Sequence, residues 1–415
     1  MKVRSITLFY NPDKDPDYQM LDSIAEFTFR VKNALLQAGF DVQSTRLATT
    51  PFPLLLKELK IQHAVDFAIK MESAANARGF NYLSIGPAML SHPQSYQMIQ
   101  PILASTQNTF LSAEMASKKT GISLKAIKSC ANIIKDASTI TADGFANLRF
   151  ACLANVASTG PFFPSSYHLS HRPSFALAIE AADIALTAFR NSGSIKVVRK
   201  NILTELELQA KRLTRICKKN SKQGNIKYSG IDFSFAPFPT SDCSVASAIE
   251  HFGVSAIGRL GSTAAAAILA EVLDRGSWKK AGFNGLMFPV LEDSVLAERS
   301  KQKILTIKDL LLYSTVCGTG LDTVPLPGNI TAPVIASILL DVSALAMRLD
   351  KPLTARLMPI PGKLAGEFTE YDFEYFENGG ILEVPSDGLQ GLFAGSESFL
   401  LKSRKKIRKS QSNRF

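Results

Sequence analysis

Apolar and polar positions alternate between two spacings along most of this chain. Short β-branched or aromatic runs, the first at Val3 to Phe9, are followed by stretches in which apolar residues recur every three or four positions, as on a helix with one buried face. From Tyr18 to Ala38 that face is Ile24, Phe27, Val31 and Leu35, and Gly39 is placed to end the helix. The same cycle predicts strands over 42–46, 82–85 and 109–111, with helices over 54–77, 96–103 and 123–135. Phe150 to Val156 is apolar almost without interruption, which predicts a strand buried on both faces.

The alternation breaks at 158–173, where P-F-F-P-S-S-Y-H makes a loop too stiff for a linker and too apolar for solvent. Beyond it a helical hairpin is predicted over 174–190 and 201–219. Its second helix sets Leu203, Leu206, Ala210, Leu213 and Cys217 on one stripe, which makes Cys217 a core residue. Strands over 231–236, 254–257, 286–290 and 353–360 then alternate with helices over 244–251, 263–273, 291–299, 307–316 and 332–349. No composition shift cuts the chain, so one domain is expected over 1–400, with parallel strands inside, helices outside and ligands at strand ends.

Composition adds exclusions. A chain that is 46% hydrophobic and 20% charged is of the folded globular kind. The net charge of +11 is concentrated after Leu400, where Lys402, Arg404, Lys405, Lys406, Arg408, Lys409 and Arg414 occur with no acidic residue. Residues 401–415 are expected to be a disordered basic tail, either simply solvated or attracting nucleic acid, since the body lacks an aromatic and basic pattern for stacking bases. Five widely spaced cysteines without a C-x-x-C pair indicate neither disulfides nor a zinc site and fit a reducing cytoplasm. The opening residues lack the form of a signal peptide, and the apolar helix at 332–349 is interrupted by Asp341 and Arg348, so no membrane association is expected.

Candidate chemistry gathers in a few loops. In Y-S-T-V-C-G-T-G-L-D-T-V-P-L-P-G, a helix is expected to run into a turn broken by Gly318 and Gly320, exposing Cys317 and Asp322. In I-G-R-L-G-S-T, Gly258 and Gly261 precede a helix that Ser262 or Thr263 would cap, a place for an anion or an ordinary helix start. Cys243 near a helix start reads either as a thiol made acidic by the dipole or as a buried inert one, and Asp242 as an N-cap. His168, beside Tyr167, is the one histidine ranked as an acid or base; His63, His92, His171 and His251 suggest no site. Glu292 and Asp293 follow a strand, where they serve a substrate or cap the next helix. Arg356, within an apolar strand, requires a carboxylate partner or an anionic ligand.

Several segments occur together: D-G-F-A-N-L-R-F-A at 143–151, P-F-F-P-S-S-Y-H at 161–168, G-I-D-F-S-F-A-P-F-P at 230–239, G-S-T-A-A-A-A at 261–267, C-G-T-G-L-D-T-V-P-L-P-G at 317–328 and D-K-P-L-T-A-R-L-M-P-I-P-G-K at 350–363, with the opening M-K-V-R-S-I-T-L-F-Y-N-P. The chain thereby closely resembles a microbial family of unknown function, labelled "PFL family", over nearly its whole length. The resemblance implies a ten-stranded α/β barrel of the pyruvate formate-lyase, or glycyl radical enzyme, type, two half-barrels with a finger loop in the lumen. The glycyl radical motif R-V-x-G-[FYW] is missing from S-D-G-L-Q-G-L-F-A-G-S-E, so no radical chemistry is expected. The resulting expectation is an enzyme without cofactor or metal, or else a non-catalytic sensor, for a small anionic metabolite. Cys317, Asp322 and His168 would be catalytic, and Arg356, Glu292, Gly258, Gly261, Ser262 and Thr263 would hold the anion. A homo-oligomer is expected.

Overall fold

A computed structural model describes residues 1–12, 16–190 and 192–404 of the protein. Among the described residues, eleven strands form one sheet: β1 (Lys2–Tyr10), β2 (Val42–Thr49), β3 (Tyr82–Ala88), β4 (Thr109–Ser117), β5 (Gly121–Ser123), β6 (Phe150–Ala154), β7 (Ser174–Glu180), β8 (Lys227–Ser234), β9 (Gly320–Pro327), β10 (Leu353–Ile360) and β11 (Ser398–Phe399). The main path runs β8-β7-β1-β2-β3-β4-β6-β10-β9, while β5 pairs with β4 and β11. Pairing along this path is parallel except at two seams, β1 against β7 and β6 against β10. Isolated parallel bridges join Phe235 to Leu286 and Pro289 to Asp322, so the stretch at 286–290, expected as a strand, touches both β8 and β9 without ladder pairing.

The amphipathic reading of Tyr18–Gln37 matches the structure: Ile24, Phe27, Val31 and Leu35 are buried, Asp17 accepts from the Met20 N–H at the amino end, and Gly39 follows with φ 83°. Strand β6 is buried at every residue, as its unbroken hydrophobicity predicts. Helix Ile195–Gly224 buries Leu206, Ala210, Leu213 and Cys217 along one stripe. The run S-F-A-L-A-I-E, predicted as the start of a hairpin helix, is instead strand β7, buried at all seven positions. An apolar run buried on both faces carries no periodicity to distinguish strand from helix. No strand forms over 254–257, which turns ahead of helix Ser262–Arg275.

The turn expected at Gly318 and Gly320, exposing Cys317 and Asp322, gives way to a strand from Gly320 on. This strand is β9, eight buried residues paired in parallel with β10. Pro325 and Pro327 lack N–H donors, yet fit because β9 has ladder pairing only on its β10 side. Helix Ala332–Leu349 is long and apolar enough to cross a membrane by length and composition, and half of it is buried inside the fold. The basic-tail expectation falls mostly on residues 405–415, outside the described residues. Ahead of them, Ser403 is buried and the Lys402 carbonyl accepts from Arg348, so the chain still packs past residue 400.

Asp293 is a helix cap, one of the two roles its position allowed. Its carboxylate accepts from the Val295 and Leu296 N–H groups of its own helix and from the Val245 and Ala246 N–H groups and Ser244 hydroxyl at another helix start. Replacing it leaves both amino ends without an acceptor in a buried place. Asp293→Ala is expected to lower the unfolding free energy by about 2–4 kcal/mol, measured by urea denaturation. A loss under about 1 kcal/mol would mean that other groups hold the two ends.

Candidate functional site

Two strand irregularities set charged side chains at one end of the sheet. In the β1 and β7 pair, Val3 lies opposite Ile179 and Ser5 opposite Ala178, which leaves Arg4 as an extra residue. In the β9 and β10 pair, Ala355 lies opposite Leu321 and Leu357 opposite Val324, so Asp322 and Thr323 together face Arg356. Thr323 has φ 39°, a conformation rare for a β-branched residue. Such bulges re-aim side chains that a regular strand would send elsewhere. Because both seams are antiparallel, this end of the sheet combines the amino ends of β1, β2, β3, β4 and β6 with the carboxyl ends of β7 and β10.

The side chains form a buried ionic network. Arg356 donates through Nε to Asp322 Oδ1 at 2.6 Å and through Nη2 to Glu292 Oε1 at 2.8 Å. The other Glu292 oxygen accepts from Arg4 Nη2, and Arg4 Nε lies 3.9 Å from Glu180 Oε1. Burial pushes the Glu292 carboxyl up, but Arg4 and Arg356 outweigh it and hold the group below the ordinary range. Asp322 and Glu180 are pushed above theirs, chiefly by burial, which their arginines do not fully offset. The second Glu180 oxygen is buried without a hydrogen-bond partner.

Next to this network opens a cavity of about 630 Å³, whose lining includes Arg4, Arg46, Glu292 and Arg356 together with several aromatic rings. Arg46, on β2, is buried, and its Nε donates to Ser44 Oγ at 3.0 Å. Its guanidinium lies 5.6 Å from the Tyr82 ring and 5.3 Å from the Phe163 ring. Among the described residues no carboxylate forms an ion pair with it. Burial, and then the charge of Arg4, draw its pKa down to about 10. Arg149, also in the wall, spends its donors on Thr106 Oγ1 and the Thr109 and Leu103 carbonyls.

The aromatic loop predicted at 158–173 supplies much of the wall. Its Pro161 and Ser166 carbonyls accept from Thr7 and Ser84 on β1 and β3, and the His168 N–H donates to the Thr49 carbonyl on β2. The loop thus lies over the sheet and brings Phe162 and Phe163 to the cavity. A second aromatic group, Phe145 with Phe373, whose ring centroids are 5.1 Å apart, also lines it.

Residues 1–377 match the family model described as "Uncharacterised ACR (DUF711)". The chain belongs to the DUF711 family. It is 28% identical over 347 residues to a "UPF0210 protein" of Pyrobaculum arsenaticum, covering 80% of this chain and 76% of that one. A "UPF0210 protein" of Acetivibrio thermocellus is 26% identical over 353 residues, 80% of this chain and 77% of its own. That of Methanocaldococcus jannaschii is 26% identical over 390 residues, 86% and 83% of the two chains. An uncharacterised microbial family is what the sequence motifs implied. The match spans every residue of the network and cavity named above.

Set against this DUF711 site, the residues expected from sequence separate into two groups. Asp322, Arg356 and Glu292 come together, and Arg356 has the carboxylate partners its burial required. Cys317 does not join them: it follows helix Ile307–Tyr313, is packed in the main hydrophobic core and lines none of the four cavities described. Its carbonyl, with that of Ser314, accepts from Lys351. The Gly258 to Thr263 turn is likewise outside the cavity, with Leu260 fully exposed, the Gly258 N–H donating to the Tyr313 hydroxyl, and Ser262 Oγ bonded to the Arg259 carbonyl. Cys243 is not made acidic by its helix; burial, then Asp183 and Glu180, push its thiol up to about 12.

Arg4, Arg46 and Glu180 were not recognised from sequence. The rule that singled out Arg356, a charge inside an apolar strand, applies equally to Arg46 in V-Q-S-T-R-L-A-T. Ending that predicted strand at Arg46 made it look like an exposed terminus, whereas β2 continues to Thr49.

His168 is fully buried, stacked on Phe9 at 6.1 Å, and neither ring nitrogen has an aligned partner, the Ser170 and Arg172 backbone only approaching it. Burial lowers its pKa from 6.5 to about 4. The unfolded chain therefore binds the proton first, so the stability due to neutral His168 is complete above about pH 6.5 and is lost as pH falls towards 4. That loss is on the order of 3 kcal/mol. His168→Phe should flatten the stability profile between pH 4 and 6.5, read by chemical denaturation at stepped pH; an unchanged slope assigns it to other groups. Glu292→Gln, which leaves two buried guanidinium groups short of charge, should cost about 3–5 kcal/mol by the same measurement at pH 7.

Proposed function

We infer that this DUF711 protein binds a small anionic metabolite in the cavity between the ionic network and the aromatic loop, and acts on it there. One observation carries the reading. Arg46 is a buried cation lining a ligand-sized space without a carboxylate partner among the described residues, whereas Arg4 and Arg356 are matched by Glu292, Asp322 and Glu180. A desolvated guanidinium is costly unless an anion joins it, and its planar fork suits a carboxylate or phosphate. Burial raises the Asp322 and Glu180 carboxyls above the ordinary range, the direction expected of groups that exchange a proton.

The ten-stranded barrel expected from the resemblance to pyruvate formate-lyase belongs to the same reading. The bridges from Phe235 to Leu286 and from Pro289 to Asp322 support 286–290 as a further stave between β8 and β9, closing the nine-strand path into ten. The segment at 161–168 then takes the position of a finger loop, and it carries no cysteine. Cys317 has no part in this mechanism, because its thiol is in the apolar core.

A binding protein without turnover is the second reading. It is favoured by the cavity lining, which includes no cysteine, histidine or lysine among the described residues. A thermal-shift screen of metabolite pools on wild-type protein and Arg46→Met, followed by mass spectrometry of the incubated ligand, separates the two. Stabilisation of the wild type alone is expected, since a ligand at about 100 times its Kd adds roughly 2.7 kcal/mol to the native state. Conversion of the ligand selects the enzyme and its recovery unchanged selects the sensor. Equal stabilisation of both proteins would remove the anion from Arg46.

A further inference from the structure

We propose that the ligand is an aromatic monocarboxylate, its carboxylate on Arg46 and its flat ring against the aromatic lining that includes Phe163 and Phe373. The inference rests on the anion reading above and adds the charge and shape of the molecule.

Charge comes first. Glu292 divides its two oxygens between Arg4 and Arg356, and Asp322 takes a second donor of Arg356, so these four groups balance. Arg149 has three oxygen acceptors, and Glu374 brings a negative charge to the same cavity. Glu180 sits against Arg4 with its other oxygen unpartnered. What remains without an ion-pair partner among the described residues is Arg46. A monoanion neutralises it, while a phosphate dianion leaves a negative charge in a buried place, at a cost that rises as water is excluded.

Shape comes from the wall. Tyr82, Phe110 and Phe163 pack in sequence, with ring centroids 5.2 and 5.5 Å apart, and hold the Arg46 guanidinium between the first and the last. Phe145 and Phe373, packed edge to face, line the same cavity. A space of about 630 Å³ is within the ordinary range for a small molecule and much larger than acetate or phosphate needs. Rings so arranged favour a flat π-system over a saturated body of equal volume, because edge-to-face and offset stacking add to area burial. A guanidinium already stacked on two rings also has its donor edge, not its face, left for an anion.

The test is calorimetric titration of the full-length protein with cinnamate, 3-cyclohexylpropanoate, phenyl phosphate and acetate. Cinnamate is expected to bind once per chain, about tenfold tighter than 3-cyclohexylpropanoate or phenyl phosphate, with no measurable heat from acetate. Arg46→Met should abolish cinnamate binding, Arg46→Lys should retain part of it, and Phe163→Leu should remove the preference for the ring over the saturated analogue. Melting temperatures of the variants show that each is folded, and Arg46→Lys guards against loss of binding through misfolding of Arg46→Met. Equal affinity for ring and saturated carboxylates, tighter binding of phenyl phosphate, or no binding of any carboxylate overturns the proposal. Arg46-dependent binding of phenyl phosphate or acetate without a ring preference overturns it while sparing the anion reading. Cinnamate binding unaffected at Arg46→Met overturns both.

Discussion

Glu292 between Arg4 and Arg356 is the contact on which the rest of this molecule turns. It joins the first strand, the segment after the bridged stretch at 286–290 and the tenth strand, and through Asp322 it reaches the ninth. An ion pair taken out of water gains little by itself, since desolvation offsets most of the attraction. Its value is in specificity: each arginine is tolerable only when its carboxylate arrives in register, so the strands that carry them cannot slip by a residue. The bulges at Arg4 and at Asp322–Thr323 serve the same end, giving up regular pairing to bring charges together.

A balanced network makes an unbalanced neighbour informative. Arg46 is buried like Arg356 but has no ion-pair partner among the described residues, and two aromatic rings flank its guanidinium. Stacking lessens the cost of burying a guanidinium without neutralising it. The cavity therefore combines a saturated ionic floor, which fixes geometry, with one cation still able to accept an anion.

Much of this was legible in the sequence, and the failures have a common cause. The amphipathic helix at Tyr18 and the doubly buried β6 follow from periodicity alone, and Arg356 was singled out by the cost of burying a charge. Ser174 to Glu180 and Gly320 to Pro327 were misread because strands buried on both faces have no alternation, and glycines and prolines there look like punctuation. Cys317 attracted notice for its glycine neighbours, yet Gly318 is there to let the backbone pass close to Gly285, where an added Cβ would meet the Gly285 Cα at 2.7 Å. Arg4 and Arg46 escaped because a charge near the end of a short strand resembles an exposed terminus. Only their partners, far away in sequence, reveal otherwise.

That separation has a consequence for how the chain is made. Arg4 and Glu292 are 288 residues apart. At about 5–20 residues per second, a ribosome finishes the strands bearing Arg4 and Arg46 tens of seconds before the carboxylate that matches Arg4 exists. Until β7 and its Glu180 emerge, the amino-terminal strands hold a cationic edge without these carboxylates and the antiparallel seam of β1 is open; Glu292 completes the match only later. Electrostatics thus withholds the final docking of the first half until the second arrives, which makes completion of the fold a late, long-range event and leaves the nascent half chain to be kept apart from other anions in the meantime.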